Sequence, residues 1–273
     1  MRKTFVWIVI GLMVLGIGAG AFQAFRGLSG QQTGVNTTLS DTSGDTLENG
    51  SAETEEKPAY NTREQVYANA HPDFSESEVK RDIRLGLDKP LYEEAGTVSD
   101  PDAVDVFVSK HWQLPDGYIP ADLTDMQGVR LREPAARAWE ALQSDLSEAG
   151  IPVYLQSGWI SADETESLYS QAVEEYGQER ADLVFARPGF FDSNTGLSVD
   201  FGLEGVEDPA TDSRYPQIVD AAIRHGFIVR YKADNEALSQ TAAMPVHLRY
   251  VGPQLAQELT ETGQSFDEYY GTH

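Results

Sequence analysis

The chain has five histidines, His71, His111, His225, His247 and His273, and His247 stands in the setting best suited to chemistry. The stretch AMPVHLRYVG, residues 243–252, places it two residues after Pro245 and between Val246 and Leu248, as on a buried strand. A histidine held this way is a common metal ligand. There is no cysteine, so any metal must be held by His, Asp or Glu. The plainer reading is a core histidine satisfied by hydrogen bonds to a neighbouring carboxylate or water. The other histidines read as structural. His225 sits beside Gly226 at an expected helix end, where a histidine interacts favourably with the helix dipole. His111, next to Trp112, reads as packing in the entry segment of the domain.

The elements that position His247 follow from punctuation and periodicity. Pro134 marks a helix start, because a missing N–H costs nothing there. Ala135, Ala138, Trp139, Leu142, Leu146 and Ala149 then keep helical spacing up to Gly150. PVYLQS reads as a strand. Ser161 and Glu164 form a capping box, and Leu168, Tyr169, Ala172, Val173 and Tyr176 give the apolar face of the helix that follows, closed by Gly177. GLSVDFG reads as a strand, YPQIVDAAIRHG as a helix, and FIVRY and VHLRYV as strands. Pro253 opens a final helix through Leu255, Ala256 and Leu259. Helices and short strands are interspersed, with no dinucleotide-binding glycine fingerprint and no repeat. The expected fold is α+β: a single compact domain, residues 105–273, with helices packed on a small mixed or antiparallel sheet.

Before that domain the composition changes. MRKT is followed by Phe5–Phe22, FVWIVIGLMVLGIGAGAF, without a charge. As a helix this run is about 27 Å long, close to a bilayer core. Residues 1–26 are therefore expected to be a membrane anchor, with Arg2 and Lys3 on the cytoplasmic side and the rest of the chain outside. Ala19-Gly20-Ala21 also fits a small-residue cleavage site, which would make the protein secreted. Residues 27–61 are Gly, Ser, Thr, Asn and acid with few large apolar side chains, and are expected to be a disordered acidic tether. Residues 62–104 read as a poorly defined preamble. The net charge of −24 excludes nucleic acid as a partner, since little basic surface exists to neutralise phosphates.

Seven segments then occur in order: FVSKHWQLPDGYIPADL, LREPAARAWEAL, SGWIS, RPGFFDSNTGLSVDF, HGFIVRY, HLRYVG and SFDEYY. Together they resemble the VanY-type D-alanyl-D-alanine carboxypeptidases, zinc peptidases that trim peptidoglycan stem peptides. The resemblance covers nearly all of residues 105–270. It implies a zinc held by a His and an Asp of the pattern Ser-x-His-x-x-Gly-x-Ala-x-Asp and by the His of Glu-x-x-His. The Glu acts as general base, and the Arg of Ser-Gly-Tyr-Arg-Ser supports the oxyanion.

Carried over position by position, the pattern is only partly present. Gly196 and Asp200 match, as does His247, so Asp200 and His247 are remnant metal ligands. Ser193 stands at the lost histidine position, Phe191 at the leading serine, Met244 at the general base and Ile160 at the oxyanion arginine. Thr165 stands where the family has a substrate-holding glutamine. A hydroxyl is a poor zinc ligand, and a thioether accepts no proton. Asp192, next to Ser193, is the one substitute ligand in reach. Phe190 and Phe191 read as core, or as a cover over the vacated pocket, and Arg249 as structural or as a partner for an acid. The resemblance thus implies a non-catalytic domain that binds stem peptide or an envelope protein, with no cofactor expected. Two alternatives stay open: a working peptidase with zinc held by Asp192, Asp200 and His247, and a structural interaction module.

Overall fold

The computed structural model describes residues 60–273. The apolar run and nearly all of the acidic stretch lie outside the described residues, and no helix among the described residues is long and apolar enough to cross a membrane.

Two short helices open the described chain, α1 (Thr62–Ala70) and α2 (Glu76–Leu85). Each starts on a capping box, Asn61 with Glu64 and Ser75 with Glu78, which satisfies two orphan N–H groups at each helix start. α2 buries Val79 and Leu85, and Leu85 joins a cluster with Phe107, Ile228, Leu255, Leu259 and Phe266. Residues 62–104 are therefore part of the fold and not an undefined preamble. The weak apolar periodicity of α1 hid this, since α1 buries none of its own residues.

Next come two small sheets. β1 (Gly96–Thr97) pairs in parallel with β2 (Trp112–Gln113). β3 (Leu123–Met126) and β4 (Val129–Arg132) form a hairpin. Its two-residue loop, Gln127-Gly128, has positive φ at both positions, the turn whose twist matches that of the strands.

The main sheet has four antiparallel strands in the order β5 (Val153–Ser157), β6 (Ser198–Leu203), β8 (Met244–Tyr250) and β7 (Phe227–Tyr231). α3 (Glu133–Glu148) and α6 (Tyr215–Arg224) supply the apolar cover. Trp139, Leu142 and Leu146 of α3 and Ile218 and Ala222 of α6 meet Val153, Phe201, Phe227 and Leu248 of the sheet. Burying each large side chain is worth about 1.5–3 kcal/mol. α4 (Ala162–Tyr176) and α5 (Gln178–Val184) form a separate pair around Leu168, Ala172, Ala181 and Val184. The one-turn α7 (Glu236–Ser239), which the sequence reading did not include, and the expected α8 (Pro253–Thr262) follow. The α+β reading holds, with the main sheet antiparallel and one small parallel pair beside it.

α8 is not the last helix. α9 (Phe266–Thr272) follows, opened by the capping box of Ser265 with Glu268. α9 is clamped to β7 by an ion pair in which Arg230 donates to both carboxylate oxygens of Asp267 at 2.5 and 3.0 Å. Asn235 adds a third donor at 2.7 Å. Both partners are buried, so breaking the pair strands a charge away from water. Asp267→Ala is expected to lower stability by about 3–5 kcal/mol and Ser265→Ala by about 1 kcal/mol, as read from urea midpoints.

Candidate functional site

Strand register assembles the site. Ser157 of β5 is the cross-strand partner of Asp200 of β6, and Asp200 is the partner of His247 of β8. Three neighbouring strands thus place Ser, Asp and His in one row across the sheet. Side chains directly opposite on one face lie within contact reach, and these three bond. The Ser157 hydroxyl donates to Asp200 Oδ2, and His247 Nδ1 lies 2.7 Å from Asp200 Oδ1.

A second chain segment closes on the row. A single 3₁₀ turn, Asp192–Thr195, leads into β6 through Gly196. Gly196 has φ +72°, and a Cβ there would lie 2.9 Å from Arg132 Cγ, so only glycine fits. The turn brings Asp192, fully buried, to the far side of the imidazole, with Oδ2 3.4 Å from His247 Nε2. Asp192 Oδ1 accepts from Arg249 at 2.5 Å. Arg249, also fully buried, spends its remaining donors on the carbonyls of Val104, Val106 and Tyr250. Of the two sequence readings for Arg249, pairing with an acid is the one observed.

The electrostatics follow from this chain of contacts. Burial pushes the Asp192 carboxyl up, but Arg249, His247 and Arg230 outweigh it and hold the group well below the usual carboxylate range. Burial lowers His247, but Asp200 and Asp192 carry it the other way, to about 9. The two carboxylates that flank the ring thus favour its protonated form. Both members of the pair are buried, with His247 at 1% and Asp200 at 8% exposure.

The replaced positions line the same region with apolar or saturated groups. Met244 is buried on β8, opposite Tyr231 of β7. The rings of Tyr231 and Phe191 stack on His247 with centroids 5.4 and 6.5 Å away, and Phe190 and Phe191 are part of the core. Ile160 packs against Phe190 and Phe191. Thr165 is buried; its hydroxyl donates to Ser161 O at 2.9 Å and accepts from Asn194 at 2.7 Å. Asn194 also donates to Ile160 O at 2.8 Å, tying the start of α4 to the 3₁₀ turn. Ser193 makes one long hydroxyl contact, 3.5 Å to Ser198. His225 and His111 lie elsewhere: His225 Nε2 is 2.6 Å from Asp145, and His111 Nε2 is 2.7 Å from Gln240.

The donor set does not fit a hydrolytic zinc, which takes three protein ligands and a water. Among the described residues, no group of three or more His, Cys, Asp or Glu is arranged to hold a metal ion. Asp200 and Asp192 stand at opposite ring nitrogens of His247, so the two carboxylates face away from a common point. The sequence reading had found Asp192, Asp200, His247 and Met244. It missed Ser157, Tyr231 and Asn194, whose roles come from cross-strand register and a side-chain bridge that no local motif signals.

Beside Ile160 lies a small open cleft lined by Pro115, Tyr118, Trp159, Ile160, Pro188 and Asn194 among others. Its one ionisable carboxylate is Asp116, and it has no cationic wall residue.

The fold is a four-stranded antiparallel sheet that carries Ser157, Asp200 and His247 in one row across three neighbouring strands. The family model described as VanY, D-alanyl-D-alanine carboxypeptidase, matches residues 128–253. The chain is 32% identical to DacB from Streptococcus pneumoniae D39, covering 60% of this chain and 85% of that one, with a TM-score of 0.52. It is 26% identical to the LdcB LD-carboxypeptidase over 67% of this chain and 92% of that one, with a TM-score of 0.60. It is also 28% identical to the bifunctional D-Ala-D-Ala dipeptidase and carboxypeptidase VanXYC of Enterococcus gallinarum, over 58% of this chain and 86% of that one. The chain belongs to the VanY D-alanyl-D-alanine carboxypeptidase family.

The network predicts an asymmetry between neighbouring positions. Asp192→Ala leaves Arg249 buried without its carboxylate and is expected to cost about 3–5 kcal/mol. Ser193→Ala removes one weak contact and is expected to cost less than about 1 kcal/mol. Equilibrium denaturation of the two variants tests the order.

Proposed function

We propose that this chain is a non-catalytic member of the family that binds peptidoglycan stem peptides through the cleft beside Trp159 and Ile160. The reading is supported by the resemblance, which sets Met244 at the general-base position, together with the burial of Met244 and the Asp200–His247 pair. Hydrolysis by this family's chemistry needs a third ligand to fix the metal and a base to take the proton from its water. Ser193 and Met244 supply neither. The rescue through Asp192 is opposed by geometry: its carboxylate is paired with Arg249 and faces the wrong ring nitrogen.

Peptide binding is supported by the relatives and by the cleft. VanYB has been solved with D-alanine-D-alanine, and the LdcB structure concerns peptidoglycan recognition. Here the cleft offers aromatic and apolar walls and, with Ile160 in place of arginine, no cation for a terminal carboxylate. Contact with alanyl methyls and the peptide backbone then carries the affinity. The apolar Phe5–Phe22 run would anchor the domain outside the membrane, where stem peptides are found.

Three measurements test this. The purified chain, equilibrated with zinc salt and desalted, is expected to retain no stoichiometric zinc, and chelator is expected to leave its melting temperature unchanged. No D-alanine is expected from pentapeptide or tetrapeptide stems; release from either one sinks the non-catalytic reading. Titration of the same peptides into labelled protein is expected to shift resonances of Tyr118 and Trp159, and absence of any shift moves the reading to a protein partner in the envelope. The combined Ser193→His, Met244→Glu and Ile160→Arg variant is expected to regain zinc before it regains activity, since the groups supporting the ligands have also changed.

A further inference from the structure

His111 joins three parts of the chain that are far apart in sequence. It stands just before β2 and is 3% exposed. Its Nε2 lies 2.7 Å from Gln240 Oε1, at the end of α7. Its other side closes on the end of α2, where a Cβ at Gly86 would lie 2.8 Å from His111 Cβ and 3.4 Å from Nδ1. The backbone here also holds the segment between α2 and β2. Tyr92 N donates to Lys110 O at 3.0 Å, and Gly96 N donates to His111 O at 2.8 Å. That segment in turn sets the Tyr92 ring edge-on to Phe190, with centroids 5.0 Å apart. Tyr92 and Ala95 both pack on the Phe190–Phe191 cluster.

The ring is built to hold one proton and not two. Nε2 meets the Gln240 oxygen, and Nδ1 is buried with no partner. An imidazolium has two N–H groups and needs an acceptor for each, so a second proton would leave a buried donor unbonded against Gly86. The charged groups that act on the ring are Asp88, Lys89 and Lys110, and each is engaged elsewhere. Asp88 is paired with Arg63, Lys89 faces Glu94 at 3.8 Å, and Lys110 donates to the carbonyls of Asp182 and Gln240. On α7, the Glu236 carboxylate accepts from Ala243 N. Burial holds His111 below its ordinary value, against the pull of Gln240 and Asp88.

We propose that His111 is an acid-sensitive latch: as a neutral ring it docks residues 86–112 onto α7, and protonation releases them. The undocked chain binds the proton more tightly than the docked one. The latch is therefore whole above about pH 6.5, the ordinary histidine value, and weakens as pH falls below it. His247 has the opposite sign. Raised to about 9, it contributes fully below the ordinary histidine value, and that contribution is lost as pH rises through 9. Lys110, pushed down to about 7, exerts its effect mainly between about pH 10 and 7. Below that range the loss falls to His111. Release lifts Tyr92 and Ala95 from Phe190 and leaves the four-stranded sheet in place.

The test is amide hydrogen exchange of the protein at about pH 7 and about pH 5, read as protection factors so that the intrinsic chemical rate drops out. Protection of the Tyr92 and Gly96 amides is expected to fall about tenfold or more relative to the amides of β8. His111→Gln keeps a donor for Gln240 but takes up no proton, and it is expected to hold that protection level between the two conditions. Equal protection at both pH values, or the same loss in the variant, overturns the proposal. Should His111→Gln fail to fold, titration of the His111 ring resonances in the unaltered chain decides it. A ring that gains its proton only as Tyr92 and Gly96 lose protection supports the latch. A ring that titrates at about pH 6.5 with protection intact overturns it.

Discussion

The Asp192 carboxylate, buried between the Arg249 guanidinium and the His247 imidazole, is the interaction on which the centre of this structure depends. It balances a fully buried arginine whose other donors hold the entry segment through Val104 and Val106. It also helps fix the charge on His247, and through His247 the geometry of Asp200 and Ser157. A buried charge is tolerable only when its partners are in place. The 3₁₀ turn, the β8 strand and the segment before β2 are therefore mutually dependent: moving one leaves a charge in the others unanswered.

Much of the architecture was legible in the sequence because local rules and tertiary packing agree. The helix from Pro134, the Ser161 capping box and the strands of FIVRY and VHLRYV stand where periodicity and punctuation put them. α1 and α2 were left undefined and α9 was not separated from its motif because these helices are short, and short helices owe their stability to capping and docking more than to an apolar stripe. Their N-terminal signals, Asn61 with Glu64, Ser75 with Glu78 and Ser265 with Glu268, were present all along.

The site was legible to a different depth. Motif matching singled out Asp192, Asp200 and His247, which the structure brings together, because they lie in two short segments. What it could not give was which way the carboxylates face. Asp192 and Asp200 are eight positions apart in sequence, and one flanks each side of the same ring. Nor did any pattern disclose Ser157, whose part in the row depends on a pairing between β5 and β6 that spans forty-three residues. Long-range register is settled by the whole sheet and leaves no mark in a local window.

The row from Ser157 through Asp200 to His247 bears on how such a centre changes over time. Once the ring carries a proton between two carboxylates, the aspartate and histidine hold each other in place by charge, and neither needs a metal to remain. Losing either one alone would strand the other. A change at either position is therefore expected to call for a matching change at the other, so the two residues behave as one unit of the fold.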